Sequence, residues 1–182
     1  MRWYHRTAWG RAVFCLIAVC LLGVVCLSAT ACYSNRSFIL QEISDDLDQA
    51  VTAAILEHNQ GLSKDSEFQT ESHQMLGAEK QENTTIVYAM VLYREYGFRG
   101  DEFCLLGDTY KPVAMTFEQQ SDGQYTLAEY WEPPAGEGYQ SAIENKFPKP
   151  LFEKAINLQQ YFDTQAWECE FEARQYLDSL ES

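Results

Sequence analysis

Cys104 and Cys169 are the two thiols in the acidic part of the chain, and they are its first candidates for covalent chemistry. In an oxidising compartment they could form a disulfide, which would close a long loop. Two independent buried thiols are the alternative, and the sequence leaves both open. It contains no Cys-x-x-Cys pair and no cluster of cysteine with histidine, so a thioredoxin-like or structural zinc site lacks support.

A second candidate site lies where aromatic residues and prolines surround a glycine-containing loop. Its residues are Tyr130, Trp131, Pro133, Pro134 and Tyr139. Aromatic and proline side chains beside flexible glycines can form a groove for a peptide, a glycan or a muropeptide. The alternative is that the two aromatic residues at the strand end simply close the sheet edge against the C-terminal helices.

The motifs of the common enzyme classes are missing from the sequence. It has no glycine-rich phosphate loop, no dinucleotide fingerprint and no Gly-x-Ser-x-Gly elbow. None of the three histidines, His5, His58 and His73, belongs to a His-Glu-x-x-His motif, and no serine is followed by lysine three residues later. We therefore predict no catalytic residue, no metal and no cofactor. An enzyme using a pair of carboxylates is the alternative from another class.

The elements that must position the candidate residues are organised around an apolar run at residues 84–93. Its residues are largely β-branched or aromatic and both alternating faces are apolar, which predicts a central strand covered on both sides. An amphipathic helix comes before it. Ser44 or Asp45 can cap this helix, and its apolar stripe runs from Leu47 to His58.

The remaining elements complete an α+β pattern. Further strands are predicted at residues 67–77, 102–106, 113–118 and 124–132, with a polar turn at 78–83. Pro148 and Pro150 introduce one C-terminal helix, or two helices broken near Asn157 or Asp163-Thr164. The expected fold is one helix packed on an antiparallel meander sheet of about four strands, followed by C-terminal helices.

The charge of the chain excludes one class of partner. The net charge is −14, with 13 basic and 27 acidic residues, and three of the basic residues lie in the first eleven positions. Beyond residue 31 the charge is therefore 10 − 27 = −17. Nucleic-acid binding needs a basic face that displaces counterions, so we expect no nucleic-acid partner.

The N-terminus is typical of a membrane-targeting segment. Arg2, Arg6 and Arg11 precede Ala12–Thr30, which are 19 residues without a charge. About 17–25 apolar residues span a bilayer, and basic residues before the span place the N-terminus in the cytoplasm. We predict a signal peptide or signal-anchor helix at 1–31, a tether at 32–43 and an extracytoplasmic domain at 44–182.

Cys32 is a candidate for lipidation. The sequence Ser28-Ala29-Thr30-Ala31-Cys32 resembles the lipobox of bacterial lipoprotein signals, although Ala29 stands where leucine is most common. The resemblance implies that diacylglycerol is attached to the Cys32 thiol before cleavage exposes its amine. An uncleaved anchor helix and cleavage after Ala31 by a general signal peptidase are the other two outcomes.

Four segments carry a family resemblance, which covers about residues 80 to 170. They are Thr85–Tyr93, Pro112–Phe117, Asp122–Pro133 and Ile143–Pro148, the last containing Lys146-Phe147-Pro148. They resemble a region of clostridial proteins that follows the membrane part of bla-regulator-type metallopeptidases, the family of β-lactam sensor and antirepressor membrane proteins. The peptidase motif of that family is absent from this sequence, and so is the Ser-x-x-Lys of its penicillin-binding sensor. The resemblance therefore implies an extracytoplasmic appendage without the peptidase.

These observations together favour a non-catalytic, membrane-tethered binding or sensing domain of a bacterial surface protein. Its expected partners are the cell membrane, reached through the N-terminal helix or a lipid, and a membrane sensor protein or a cell-wall ligand. The alternatives are a carboxylate-using cell-envelope enzyme and a structural or inhibitor-like lipoprotein.

Overall fold

The structure is a computed structural model that describes residues 37–39 and 43–181. The predicted signal or anchor segment and the candidate lipidation residue Cys32 lie outside these residues. The described elements, in chain order, are β1 (Ser37–Ile39), α1 (Asp45–Asn59), β2 (Phe68–Gln81), β3 (Thr84–Arg99), β4 (Glu102–Gln119), β5 (Tyr125–Trp131), α2 (Tyr139–Lys146), α3 (Lys149–Ile156) and α4 (Gln159–Leu180).

The strands form one antiparallel meander in the order β1-β2-β3-β4-β5. Four strands are long, and β1 adds a three-residue edge beside β2. Short turns connect β2, β3 and β4, since residues 82–83 and 100–101 are enough to reverse the chain. The predicted α+β class and its antiparallel meander sheet are confirmed.

Helix α1 covers one face of the sheet. It begins where the sequence indicates, because the Ser44 side chain accepts a hydrogen bond from the backbone N–H of Leu47 at 3.3 Å. Leu47, Val51 and Ile55 are buried against the sheet. Burial of each such aliphatic side chain contributes about 1.5–3 kcal/mol, which holds the helix on this face.

Strand β3 is the buried centre of the fold, with a separate core on each side. Val87, Ala89, Val91 and Tyr93 pack in the core beneath α1. Tyr88 belongs to the opposite core, which the C-terminal helices cover. Because successive side chains of a strand point to opposite faces, this division follows from the apolar run at residues 84–93.

Several predicted boundaries are wrong, because the strands are longer than the sequence suggests. Strand β2 continues to Gln81, so only residues 82–83 of the predicted turn at 78–83 form the turn, and β4 is continuous where two strands were expected at 102–106 and 113–118. Irregularities in register near Met75, Glu95 and Thr116 let the ladders continue. A β-bulge inserts a residue without ending the strand, so residues typical of turns lie within the sheet.

Candidate ligand-binding site

A cavity of about 340 Å³ lies between α4 and the ends of β3 and β4. Its lining combines aromatic and aliphatic side chains with two arginines and one glutamate. The lining residues are Arg94, Tyr96, Phe103, Cys104, Leu105, Glu170, Ala173, Arg174 and Leu177. A small, mostly apolar cavity with a few polar groups is the usual form of a small-molecule site.

A larger depression of about 480 Å³ lies between α1 and the β4–β5 hairpin, but it is a weaker candidate. Five of its seven lining residues are exposed, and Asp46 and Asp122 contribute negative charge to it. Such a solvated acidic surface offers little apolar area to a ligand. The cavity beneath α4 is therefore the better candidate.

The sheet floor of the cavity is set by alternation along β3 and by its register with β4. Arg94 and Tyr96 are two residues apart and share the face that α4 covers. Leu105 pairs with Tyr96, and Phe103 pairs with Phe98, so the apolar side chains of β4 extend the same floor. Directly paired residues of antiparallel strands lie on one face of the sheet.

Helix α4 supplies the other wall. Glu170, Arg174 and Leu177 follow one another at spacings of four and three residues, which places them along one side of the helix. Ala173 is buried in the same wall, and its small side chain leaves space in front of the sheet. Nearby, Tyr176 stacks on Phe68 with ring centroids 4.6 Å apart, which fastens this end of α4 to β2.

Arg94 is the most unusual residue of the cavity. It is only 6% exposed, yet its Nη1 makes long contacts only, at 3.3 Å to the Ala166 carbonyl and 3.4 Å to both the Tyr96 hydroxyl and Glu170 Oε1. Within the described part of the chain, its buried Nε has no hydrogen-bond partner. Buried polar groups are nearly always paired, and arginine carries five N–H donors, so Arg94 retains donor capacity at the cavity.

The negative groups around Arg94 are exposed to solvent. Among the described residues its ion-pair partner is Glu170, which is 52% exposed and 3.4 Å away, and its direct partner on β4, the exposed Asp108, adds a second negative charge. The Phe162 ring lies 5.9 Å from the guanidinium carbon, at the outer range of a cation–π contact. Burial raises the pKa of Tyr96 in spite of the opposing charge of Arg94, so the Tyr96 hydroxyl stays protonated at neutral pH. The arrangement favours an additional anion at the cavity.

The two candidate disulfide residues are both free thiols in the structure. Cys104 is partly buried in the wall of the cavity, and Cys169 is buried on α4. Burial raises the pKa of Cys169 to about 12, against the opposing effects of Thr70 and Arg94. A thiol that remains protonated at neutral pH is a weak nucleophile, so Cys169 has the character of a core residue.

The residues of the predicted aromatic groove are divided between the two faces of the sheet. Tyr130 packs in the core beneath α1 and stacks on His58 with ring centroids 3.8 Å apart. Trp131 and Tyr139 pack in the opposite core. Pro133 is buried and Pro134 is exposed in the connection to α2. The structure therefore does not bring these five side chains into one groove, because adjacent strand residues point in opposite directions.

His73 forms a second polar cluster, between β2 and α1. Its Nδ1 lies 3.0 Å from Glu71 Oε2 and its Nε2 lies 3.2 Å from Asp48 Oδ1. The Thr52 hydroxyl also donates to Glu71, at 2.6 Å. Because both ring nitrogens of His73 face carboxylates, the cluster joins the helix to the sheet and leaves no free imidazole nitrogen for base catalysis.

We expect the His73 cluster to make stability depend on pH. Burial opposes the charge on His73, but its hydrogen bonds with Glu71 and Asp48 outweigh burial and raise its pKa. A raised folded-state pKa gives stability that is complete below the unfolded pKa of about 6.5 and is lost as pH rises through the folded pKa. Urea unfolding from pH 5.5 to 9 should show a smaller decline in His73→Gln than in the unmodified chain.

The matched control for this prediction is His58→Gln. His58 is 38% exposed and 3.6 Å from one carboxylate, Glu132, so this variant should keep the decline of the unmodified chain. Equal pH profiles for the unmodified chain and His73→Gln would show that folding does not raise the pKa of His73.

Glu95 is a fully buried carboxylate with a structural role. Its Oε1 accepts hydrogen bonds from the backbone N–H of Gly61 at 2.7 Å and of Leu62 at 3.0 Å, and from the Tyr93 hydroxyl at 2.7 Å. Its Oε2 accepts from the Ser63 N–H at 2.6 Å. The three backbone bonds fix the loop after α1 to β3, and the bond from Tyr93 holds the carboxylate in position.

Arg94 and Glu95 were not predicted as site residues, because the central strand was expected to end at Tyr93. A signal was present, since two opposite charges directly follow ten residues without a charge. Charged residues that continue a buried strand are seldom buried without partners. Such a pair therefore indicates a buried polar contact or a binding site. The strand in fact extends to Arg99, so each charge lies on a covered face of the sheet.

Two kinds of feature are absent from residues 37–39 and 43–181. No group of three or more His, Cys, Asp or Glu side chains in these ranges could hold a metal ion. No helix there has the length and apolar character needed to cross a membrane.

Comparison with protein-family models, with curated proteins and with solved structures finds no match to the chain.

Proposed function

We propose that the domain is a non-catalytic binding or sensing module of a bacterial surface protein, tethered outside the cell membrane by the N-terminal segment. The observation that carries the binding role is the cavity beneath α4, in which a buried arginine with an unpartnered Nε faces apolar and aromatic walls. The tether is supported by the basic residues and uncharged run at the N-terminus.

The cavity suits reporting on a ligand as well as holding it. Its two walls belong to different elements, the β3–β4 sheet and α4, and the wall residues Glu170 and Arg174 are exposed. A ligand between these walls would favour one position of α4 over others, because ligands shift a protein toward the conformation that they bind best. The exposed face of α4 would then present that change to a partner.

Filling the cavity tests the binding role. In Leu177→Trp the larger side chain should occupy the cavity, whereas Leu180→Trp adds the same group at an exposed position of α4 outside the lining. The full-length variants and the unmodified chain are purified from the producing bacterium, and small molecules released on denaturation are identified by mass spectrometry. We expect the same bound compound with the unmodified chain and Leu180→Trp, and at least a tenfold loss with Leu177→Trp.

Two results would contradict the proposal. One is the absence of any compound above the level found with an unrelated membrane protein purified in the same way. The other is equal recovery of a compound from Leu177→Trp and Leu180→Trp, which would place the ligand elsewhere.

A further inference from the structure

We infer that the ligand of the cavity beneath α4 is a small monocarboxylate with an apolar body, held by Arg94 and Arg174. This inference rests on the proposed binding function and specifies its ligand class. The carboxylate would lie against the two guanidinium groups, and the aliphatic or aromatic body against Tyr96, Phe103 and Leu177.

The charge of the ligand follows from the polar lining. The charged residues of the lining are two arginines and one glutamate, and Asp108 lies beside Arg94 on β4 but outside the lining. Among the described residues, the buried Nε of Arg94 has no hydrogen-bond partner. The contacts of Arg94 Nη1 are 3.3–3.4 Å long, which is long for hydrogen bonds of a charged group. The guanidinium of Arg94 can therefore still bind an anion. Arginine recognises planar carboxylates through two parallel N–H···O bonds, which selects a carboxylate over a neutral amide.

The number of charges on the ligand follows from the rest of the protein. The chain beyond residue 31 carries 10 − 27 = −17. A polyanion would meet repulsion from this surface, and the one acidic lining residue, Glu170, would add to it. A single carboxylate can replace Glu170 beside Arg94 and leave Glu170 free to turn toward solvent.

The apolar body follows from the other walls and from the volume. Tyr96, Phe103, Leu105, Ala173 and Leu177 line the space, and Phe103 contacts Tyr176 at 5.8 Å between ring centroids. At about 340 Å³ the cavity is at the small end of ligand sites, too small for a folded partner. Both an aliphatic chain and a phenyl ring match such walls, and the test separates them.

The test measures binding of four probes to the full chain in detergent by isothermal titration calorimetry, with probe-into-detergent titrations subtracted. The probes are 4-phenylbutanoate, octanoate, the neutral 4-phenylbutanamide and citrate. We expect at least one of the two monocarboxylates to bind about tenfold or more tightly than the amide, because the amide lacks the charge that pairs with arginine. Citrate, which has three carboxylates and no apolar body, should not bind.

Variants then place the carboxylate. Arg174→Gln, at an exposed helix position, should weaken the monocarboxylate several-fold and leave the amide unchanged. Arg94→Lys should lose at least tenfold for the acid, since lysine keeps the charge but not the paired donors. Leu177→Trp should abolish binding of both. Arg174→Gln is the variant that remains informative if Arg94→Lys fails to fold.

An amide affinity that equals or exceeds that of both monocarboxylates, no saturable binding of either monocarboxylate, or an unchanged monocarboxylate affinity in Arg174→Gln would overturn the inference. The compound recovered from the producing bacterium distinguishes this failure from that of the proposed function. A neutral or cationic compound lost in Leu177→Trp would refute the monocarboxylate and keep the binding role. No recovered compound at all would refute the binding role.

Discussion

Glu95→Ala is expected to lower the free energy of unfolding by about 3–5 kcal/mol. The substitution leaves the backbone N–H groups of the loop after α1 and the Tyr93 hydroxyl without their acceptor. Each buried polar group left unpaired costs about 1–3 kcal/mol, and a change that affects several at once is among the most damaging. Urea unfolding followed by circular dichroism measures the loss.

Two companion variants show whether the carboxylate itself is responsible. Glu95→Gln keeps the shape and one acceptor oxygen, so its loss should be smaller than that of Glu95→Ala. Glu67→Ala removes an exposed carboxylate from the same loop and should change stability by less than about 0.5 kcal/mol. A loss in Glu95→Ala no larger than that of Glu67→Ala would show that the three backbone hydrogen bonds to Glu95 do not hold the loop.

The same carboxylate should protect the fold against acid. Burial opposes the charge of Glu95, but its hydrogen bonds with Tyr93 and the loop N–H groups outweigh burial and lower its pKa. A lowered folded-state pKa gives stability that is present above the unfolded pKa of about 4.3 and is lost as pH falls through the folded pKa. The stability difference between the unmodified chain and Glu95→Gln should therefore shrink below about pH 4.

Gly97→Ala is expected to cost about 2–3 kcal/mol, the second-largest effect. A Cβ at this position would lie 2.4 Å from the Asp65 carbonyl oxygen and 2.8 Å from Leu106 Cδ1. The loop cannot move away freely, because Glu95 holds its start and the Glu67 N–H donates to the Tyr96 carbonyl at 2.9 Å. Inserting a methyl group into a packed site costs about 1–3 kcal/mol.

Gly107→Ala is the matched control in the partner strand. Its Cβ would lie 3.3 Å from Leu62 Cβ, with Leu62 Cδ1 next at 3.8 Å, so a shift of a few tenths of an ångström at Leu62 is enough to accommodate it. We expect a loss below about 1 kcal/mol, within the range of tolerated core changes. If Gly97→Ala and Gly107→Ala unfold at the same urea concentration, the loop at Asp65 does not contact β3 at Gly97 as closely as the structure indicates.

The sequence was sufficient to predict the class of fold because its strongest patterns are local. The apolar run at residues 84–93 required cover on both faces, and the spacing of Leu47, Val51 and Ile55 specified the helix that covers one of them. Ser44 marked the start of that helix, and its capping hydrogen bond is present. Such patterns depend on residues within a few positions of one another.

The site could not be predicted in the same way, because it depends on long-range packing. Arg94 and Arg174 are 80 positions apart and meet only when α4 crosses β3. By contrast, the division of Tyr130 and Trp131 between two faces follows from alternation along β5, so the sequence could have predicted it once residues 124–132 were interpreted as a strand. The register shift between β4 and β5 near Thr116 could not be predicted, because nothing in the local sequence specifies it.

The most direct test is a crystal structure of the full chain purified from its native host without added ligand, because the central claim is that the cavity beneath α4 binds a small molecule. We predict density for a bound molecule with one end beside Arg94 and Arg174 and the other against Leu177. A cavity that contains only water, at a resolution sufficient to see ordered solvent, would contradict the account.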